Sequence, residues 1–354
     1  MNRKAARSAY VIGAGPNGLA AAICLARAGV KTTVLEAEQT FGGGLRSLEL
    51  TLPGFTHDLC SAVHPMALTS PIFQSLPLAQ YGLEWIHPPV PMAHPLDDGS
   101  AILLRRSVEE TAVPLGVDAS RYVRLLTPLV KQWTSLSADI LRPLGLSRHP
   151  LSMMRFGSLA AWSAKLMAQM LFRSPEARAL FAGLAAHSAL PLTAPGSAAF
   201  GWVLAISAHA VGWPIARQGS QSIANALASY LESLGGQIVT GSRVRSLEEL
   251  KDSSLILCDI TPRQLLEISG DTLRPSYRRK LERYQYGCGA FKMDWALREP
   301  IPWKAEECRL AATVHVGGGM DDIVESEAAA WQQETSAKPF LLVVQPTLFD
   351  TTRA

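Results

Sequence analysis

Three glycines near the start of the chain have the spacing of a nucleotide-binding turn. Gly13, Gly15 and Gly18 follow a short apolar stretch and lead into a segment rich in alanine and leucine. In such a strand–turn–helix unit, the first glycine permits a tight turn and the second lets the backbone approach a pyrophosphate. The third lets the helix pack closely on the strand. Because free N–H groups at a helix start attract anions, the spacing predicts a site for the pyrophosphate of a dinucleotide.

A carboxylate stands where such a site would hold a ribose. Glu36 closes a second predicted strand, residues 31–35, and lies eighteen residues after Gly18. Its carboxylate can accept hydrogen bonds from both ribose hydroxyls and would repel a 2′-phosphate. The alternative is that the glycines only punctuate turns and that Glu36 is a solvated strand end. We favour the binding site because four elements of the pattern agree.

A second glycine cluster decides between cofactors. Gly42, Gly43 and Gly44 begin six residues after Glu36 and are followed by Arg46. The cluster resembles the second glycine motif of flavoproteins in the phytoene desaturase and amine oxidase superfamily, where adjacent glycines leave room for the phosphates and ribityl chain of FAD. The resemblance implies FAD as the cofactor. That motif usually places arginine directly after a glycine pair, whereas here Arg46 comes two residues later.

Later segments extend the resemblance over nearly the whole chain. Residues 284–303 and 313–319 closely resemble a bacterial and mitochondrial group of phytoene-dehydrogenase-related proteins. The resemblance implies an α/β fold, with a Rossmann-like FAD-binding domain and an intertwined α+β substrate domain. It also implies that the backbone at Val244 meets the adenine. Members of that group continue past the last residues of this chain, so we expect either a truncated protein or one half of a split gene, whose partner chain would supply the missing C-terminal part.

The pattern along the chain divides it into four stretches. Residues 1–82 form the first part of the FAD/NAD(P)-binding domain, and residues 83–212 form the first, helical part of the substrate domain. Residues 213–283 return to the FAD-binding domain. Residues 284–354 are predicted to add strands to the substrate domain, with an incomplete C-terminus.

One apolar segment of the substrate domain, residues 152–172, carries only two charged residues, Arg155 and Lys165. A helix of this kind could lay one face on a membrane surface to extract a lipid-like substrate, or it could line a core. We favour the core because proteins of this size bury such helices routinely. Peripheral membrane contact is the alternative.

Three residues are candidate catalytic groups. Lys292 is predicted early in a strand, ahead of Pro302 and Trp303, and the resemblance implies that it lies near flavin N5 like the lysine of amine oxidases. A cation there would stabilise charge that develops on the flavin, and the alternative is a lysine that extends from a strand edge into solvent. His64 and His315 could act as acid or base because imidazole titrates near neutrality. For each histidine alone, a structural role is the favoured interpretation.

Composition narrows the classes of partner and compartment. The net charge of +3 over 354 residues carries no sign of nucleic-acid binding. The basic start, residues 2–7, precedes an apolar strand too short for a signal peptide or a membrane span. The five cysteines have neither metal-binding spacing nor an even count, so we expect no metal, no disulfide and a reducing, cytoplasmic compartment.

These features predict an FAD-dependent dehydrogenase or desaturase that acts on a small apolar or lipid-like substrate. An NAD-linked reductase is an alternative, which the second glycine cluster and the lack of a second G-x-G-x-x-G pattern disfavour. A cofactor-binding or interaction subunit without turnover is the non-enzymatic alternative.

Overall fold

The computed structural model describes residues 8–143 and 145–354, so the basic start at residues 2–7 lies outside the described part. The strands are β1 (Ser8–Ile12), β2 (Lys31–Leu35), β3 (Ser47–Glu49), β4 (Thr56–Asp58), β5 (Trp85–Ile86), β6 (Val90–Pro95), β7 (Ala101–Leu104), β8 (Ile215–Ala216), β9 (Gln237–Val239), β10 (Leu255–Cys258), β11 (Ala311–Val316) and β12 (Leu341–Val344). The helices are α1 (Pro16–Arg27), α2 (Pro65–Thr69), α3 (Pro71–Gln74), α4 (Val108–Ala112), α5 (Ala119–Lys131), α6 (Trp133–Ile140), α7 (Pro150–Ala160), α8 (Ala164–Leu171), α9 (Pro175–Ala186), α10 (Ser197–Ala210), α11 (Gln221–Ser233), α12 (Pro262–Ser269), α13 (Pro275–Glu282) and α14 (Met320–Trp331).

A parallel sheet with the strand order β10-β1-β2-β9 forms the first layer. Val11 and Val34 pack beneath α1 and α11, whereas their neighbours Ile12 and Leu35 pack on the opposite face. This alternation follows from the two-residue period of a strand, and both faces are apolar because both are covered. The sheet confirms the predicted α/β class and its Rossmann-like domain.

A second sheet has the order β12-β11-β6-β7. Its two central strands, β6 and β11, run parallel, and each pairs with an antiparallel edge strand. Helices α9 and α14 pack together beside it, and α9 also packs on α10. The main hydrophobic core lies among α5 to α10 and contains the fully buried Trp202.

The apolar segment at residues 152–172 forms two helices rather than one. Helix α7 ends at Ala160, and α8 begins at Ala164 after Ser163 caps its first turn by accepting from the Leu166 N–H. The carbonyls of Ala161 and Trp162 accept from the Gly196 N–H, which ties the break to the start of α10. The Ser163 side chain competes with continuation of α7 for the backbone N–H groups, so α7 ends and α8 begins at this point.

The predicted strand around Lys292 is wrong. Residues 284–303 contain neither helix nor strand. Glycines at 287 and 289 weaken a strand, and a strand also needs a hydrogen-bonding neighbour. Among the described residues, none of the paired strands includes this segment. Its aromatic side chains are exposed, Phe291 at 90% and Trp295 at 65%.

Candidate dinucleotide-binding site

The first glycine turn is packed too tightly for side chains. Gly13 has a φ of +100°, and a Cβ added to it would lie 2.4 Å from the Asp259 carbonyl oxygen. A Cβ on Gly18 would lie 2.1 Å from the Gly13 carbonyl oxygen. Gly15 is the N-cap of α1 and provides no side-chain cap of its own, while the Gly18 N–H of the first turn donates to the Asp259 carboxylate. The structure thus builds the turn that the spacing predicts.

The second glycine cluster packs directly on this turn. The Gly42 N–H donates to the Ala14 carbonyl over 2.9 Å, and Gly42 has a φ of +118°. A Cβ on Gly43 would lie 3.0 Å from the Cα of Gly15. The Arg46 Nε donates to the Gly43 carbonyl over 3.1 Å, so this side chain folds back over the cluster. The two motifs therefore form one cradle of bare backbone.

Glu36 is anchored beside the cradle. Its Oε2 accepts from the Ala14 N–H over 2.9 Å, and its Oε1 accepts from the Glu38 N–H over 3.0 Å. Each carboxylate oxygen keeps a further lone pair, which a ribose hydroxyl can use. The side chain is half-buried, and the backbone bonds hold it in place. The cradle and this carboxylate together fit a dinucleotide.

Asp259 is a member of the site that sequence reasoning missed. It follows β10, the neighbour of β1, and its Oδ2 accepts from the Gly18 N–H over 2.7 Å. A carboxylate at a helix start stabilises the helix by capping and by its interaction with the dipole. The available signal was an acidic residue directly after an apolar strand, Leu255–Cys258.

An open cleft of about 380 Å³ borders the second glycine cluster. It lies beyond the carboxyl ends of β2 and β9, where ligands of open α/β sheets bind. Its lining comes from the chain on both sides of the cluster, from α11 and from the residue after β9: Gln39, Thr40, Phe41, Ser47, Leu48, Gln221, Asn225 and Thr240.

A buried ion pair holds the hairpin that follows the cluster, and it too was missed. The Arg353 Nη1 donates to the Asp58 Oδ2 over 2.7 Å, and both side chains are almost fully buried. The other oxygen of Asp58 accepts from the Ser47 hydroxyl over 2.6 Å and from the Ser220 N–H over 2.7 Å. This network joins β3 and β4 to the loop before α11.

Burial and charge compete at Asp58. Burial alone would raise the pKa of Asp58, but the Arg353 charge and the hydrogen bonds from Ser47 and Ser220 hold this pKa below its ordinary value of 3.8. The carboxylate is therefore ionised at neutral pH and can keep its full set of partners.

His64 belongs to the same network. Its Nε2 hydrogen-bonds the Ser220 hydroxyl over 2.8 Å, and its backbone N–H donates to the Pro214 carbonyl. Burial lowers the pKa of His64 to about 4, although the Asp58 charge opposes this and the Arg353 charge adds to it. The ring is neutral at pH 7 and can act there as a hydrogen-bonding group or a weak base. Its catalytic role stays a prediction.

His315 lies in the second sheet, within a cluster of three histidines. The Nε2 atoms of His187 and His315 are 2.8 Å apart, and the ring centroids of His94 and His315 are 6.2 Å apart. Burial, together with the two neighbouring histidines, lowers the pKa of His315 well below 6.5. The part of the chain that the structure describes holds no group of three metal ligands with suitable geometry. A catalytic role for His315 stays a prediction.

Lys292 lies beside the β3–β4 hairpin rather than in a sheet. Its ammonium pairs with Asp294, whose Oδ1 is 3.6 Å from the Nδ1 of His57 in β4. The lysine side chain is 36% exposed. Its proposed place near a flavin stays a prediction, as does the adenine contact at Val244, whose side chain lies in one apolar cluster with Ile12 and Leu35.

The structure therefore brings the predicted glycines, Glu36 and Arg46 into one place. His64 is joined to them through Ser220, Asp58 and Ser47. His315 lies apart, in the second sheet, where its ring packs against Trp213.

Comparison with known proteins agrees with this site. Residues 11–75 match the model of an NAD(P)-binding Rossmann-like domain. The chain is 30% identical to one of the subunits of limonene dehydrogenase from Castellaniella defragrans over 133 residues, which cover 38% of this chain and 24% of that protein. It is 29% identical to hydroxyneurosporene desaturase of Cereibacter sphaeroides over 255 residues, which cover 66% of this chain and 49% of that protein. The matches thus span about half or less of these relatives' length.

Solved structures share the fold. An oxidoreductase from Methanosarcina mazei superposes with a TM-score of 0.54 at 19% identity, over 78% of this chain and 65% of that one. Putrescine oxidase bound to putrescine superposes with a TM-score of 0.52 at 17% identity, over 80% of this chain and 64% of that one. The relatives and the fold agree with the resemblance seen in the glycine motifs. In sequence the chain is thus similar to a desaturase and to a subunit of a dehydrogenase, and it shares its fold with an oxidoreductase and with putrescine oxidase.

Proposed function

We propose that this chain is part of an FAD-dependent oxidoreductase that dehydrogenates a small apolar or lipid-like substrate. The observation that carries the proposal is the contact between the two glycine motifs, where a Cβ on Gly43 would lie 3.0 Å from the Gly15 Cα, closer than ordinary van der Waals contact. A single glycine turn would suit many nucleotides. The second cluster, stacked on the first, extends the bare backbone along the path of a longer dinucleotide.

Each member of the site has a role in this proposal. The start of α1 and the backbone at Gly13 and Gly15 bind the pyrophosphate, Glu36 binds the ribose of the adenosine, and Arg46 adds positive charge beside the second cluster. FAD, when bound, supplies the acceptor for a hydride from a C–H bond. Lys292, His64 and His315 are the proposed groups for charge stabilisation and proton transfer.

The names of the relatives support dehydrogenation of an apolar compound. One is named for the dehydrogenation of limonene and the other for the desaturation of hydroxyneurosporene. Both names denote oxidation of a C–H bond in an organic substrate. The name of the limonene relative also describes it as one subunit of the enzyme, which supports our expectation that a partner chain contributes to the activity.

The test is a titration of the purified chain with FAD in which fluorescence reports binding. We expect Glu36→Ala to weaken FAD binding by about 1–3 kcal/mol, the range for lost charge-assisted hydrogen bonds. This corresponds to roughly 5- to 150-fold in Kd. Glu38→Ala is the matched control, because Glu38 is an exposed neighbour whose contact to Glu36 uses only its backbone.

Three outcomes would overturn parts of the proposal. Equal FAD affinity of wild type and Glu36→Ala would remove the ribose assignment. Preferential binding of NAD⁺ would favour an NAD-linked reductase. In the third outcome the chain binds FAD that stays oxidised: if no apolar donor reduces the bound FAD under anaerobic conditions, even with candidate partner chains present, the result would favour a cofactor-binding subunit without turnover.

A further inference from the structure

The outer faces of α7 and α8 carry large apolar side chains. Leu151 and Met154 on α7 are 77% and 68% exposed, and Met170 on α8 is 62% exposed. The inner faces of the same helices are buried against the helical core through Phe156 and Met167. A helix that only covers a core normally has a polar outer face. An apolar outer face that spans two helices and their connections marks an interaction surface.

The charge of this segment has a single sign. Residues 140–175 contain five cations and neither aspartate nor glutamate. Four of these cations, Arg148, Arg155, Lys165 and Arg173, have no ion-pair partner among the described residues. The fifth, Arg142, pairs with Asp139 just before the segment. The surface is therefore apolar with a basic rim.

Two further exposed apolar side chains enlarge the surface. Leu146, in the loop before α7, is 94% exposed, and Trp162, between α7 and α8, is 51% exposed. The Trp162 Nε1 donates to the Ser158 carbonyl, which leaves its apolar ring outward and its polar atom satisfied. This arrangement suits tryptophan at a boundary between water and lipid.

We infer that this basic apolar surface, formed by Leu146, Leu151, Met154, Trp162 and Met170 with the surrounding cations, binds the surface of an anionic phospholipid bilayer. The apolar side chains would enter the headgroup region, and the cations would pair with lipid phosphates. None of the helices in the described part of the chain has the length and hydropathy that a membrane span requires. The inference goes beyond the proposed function and does not depend on it.

Vesicle flotation of the full chain tests the inference. We expect binding to equimolar phosphatidylglycerol and phosphatidylcholine to exceed binding to phosphatidylcholine alone by about tenfold or more, because each cation near an anionic surface adds attraction. Arg148→Gln with Arg155→Gln should reduce this binding by about tenfold, and Leu151→Glu with Met170→Glu should abolish it. Phe291→Glu is the control, since Phe291 is 90% exposed but lies outside the surface.

Loss of lipid binding can be distinguished from misfolding, from loss of FAD binding and from self-association. All the substituted side chains are exposed, so circular dichroism should show unchanged folding. FAD titration of the same variants should give wild-type affinity, which keeps this test apart from that of the proposed function. Equal flotation of wild type and both double variants would overturn the inference. Dimer formation without lipid would also overturn the inference, if light scattering detects the dimer in wild type and Leu151→Glu with Met170→Glu dissociates it. The surface would then bind a second copy of the chain.

Discussion

At the scale of single residues, the pair of Asp58 and Arg353 shows how a buried charge depends on its partner. Arg353 also donates to the Ala216 carbonyl over 3.1 Å and to Asp350 over 3.3 Å. Removing one partner of a buried pair leaves the other charge without compensation, which typically costs about 3–5 kcal/mol. The pair therefore matters for stability through the penalty of breaking it.

We predict that Arg353→Met lowers the free energy of unfolding by about 3–5 kcal/mol, because Asp58 would remain buried without its counter-charge. Urea denaturation at pH 7.5 measures the change. Arg217→Met is the control, since Arg217 pairs with Glu84 at the surface and both side chains are substantially exposed. A loss no larger than that of the control would show that the network tolerates an unpaired Asp58.

At the scale of elements, the cradle depends on two turns that approach each other through glycine. Gly43 has a φ of +55° and lies against Gly15, whereas Gly99, in the turn between β6 and β7, has a φ of +88° with open space around it. Both positions strain an L side chain, but only Gly43 meets another backbone. Comparing Gly43 with Gly99 therefore separates the effect of backbone strain from the effect of close approach to another backbone segment.

We predict that Gly43→Ala and Gly99→Ala each destabilise the fold by about 1 kcal/mol or more through strain at positive φ. Only Gly43→Ala should also weaken FAD binding, by about tenfold or more, because its Cβ pushes the two turns apart. Thermal unfolding and FAD titration measure the two effects. Wild-type FAD affinity in Gly43→Ala would mean that the second cluster is not part of the binding site.

At the scale of the whole molecule, buried neutral histidines should set the acid limit of stability. Burial lowers the pKa of His187 to about 4, and it does the same for His209 despite opposing contacts with backbone carbonyls and Glu109. His64 behaves in the same way. In the unfolded chain these groups titrate near 6.5. The unfolded state therefore binds more protons than the folded state between these values.

We predict that the free energy of unfolding falls as the pH drops from 6.5 toward 4, by on the order of 3 kcal/mol for each such histidine. Glu327, whose pKa burial raises to about 7, opposes this loss by at most a similar amount for one group, so the histidines outweigh it. The carboxylate of Asp58 does not cause this loss, since its pKa lies below 3.8 in the folded state. Urea denaturation at pH 7.5, 5.5 and 4.5 measures the trend. Equal stability at these three values would contradict the burial of neutral histidines.

The sequence by itself determined the features that depend on neighbouring residues. Short-range spacing predicts the turn of Gly13, Gly15 and Gly18, the strand that ends directly before Glu36 and the Rossmann-like class. Alternation and turn chemistry act over a few residues, so a linear pattern carries them. The resemblance to the phytoene desaturase and amine oxidase superfamily also rests on such local motifs.

The tertiary structure alone decided which distant residues meet. Asp259 caps α1 at Gly18 across 241 residues, and Arg353 reaches Asp58 across 295 residues. It also decided that Lys292 lies outside any strand and that residues 152–172 form two helices with an apolar outer face. Local propensity does not settle these points, because the free energy that selects them comes from packing and burial between segments far apart in the chain.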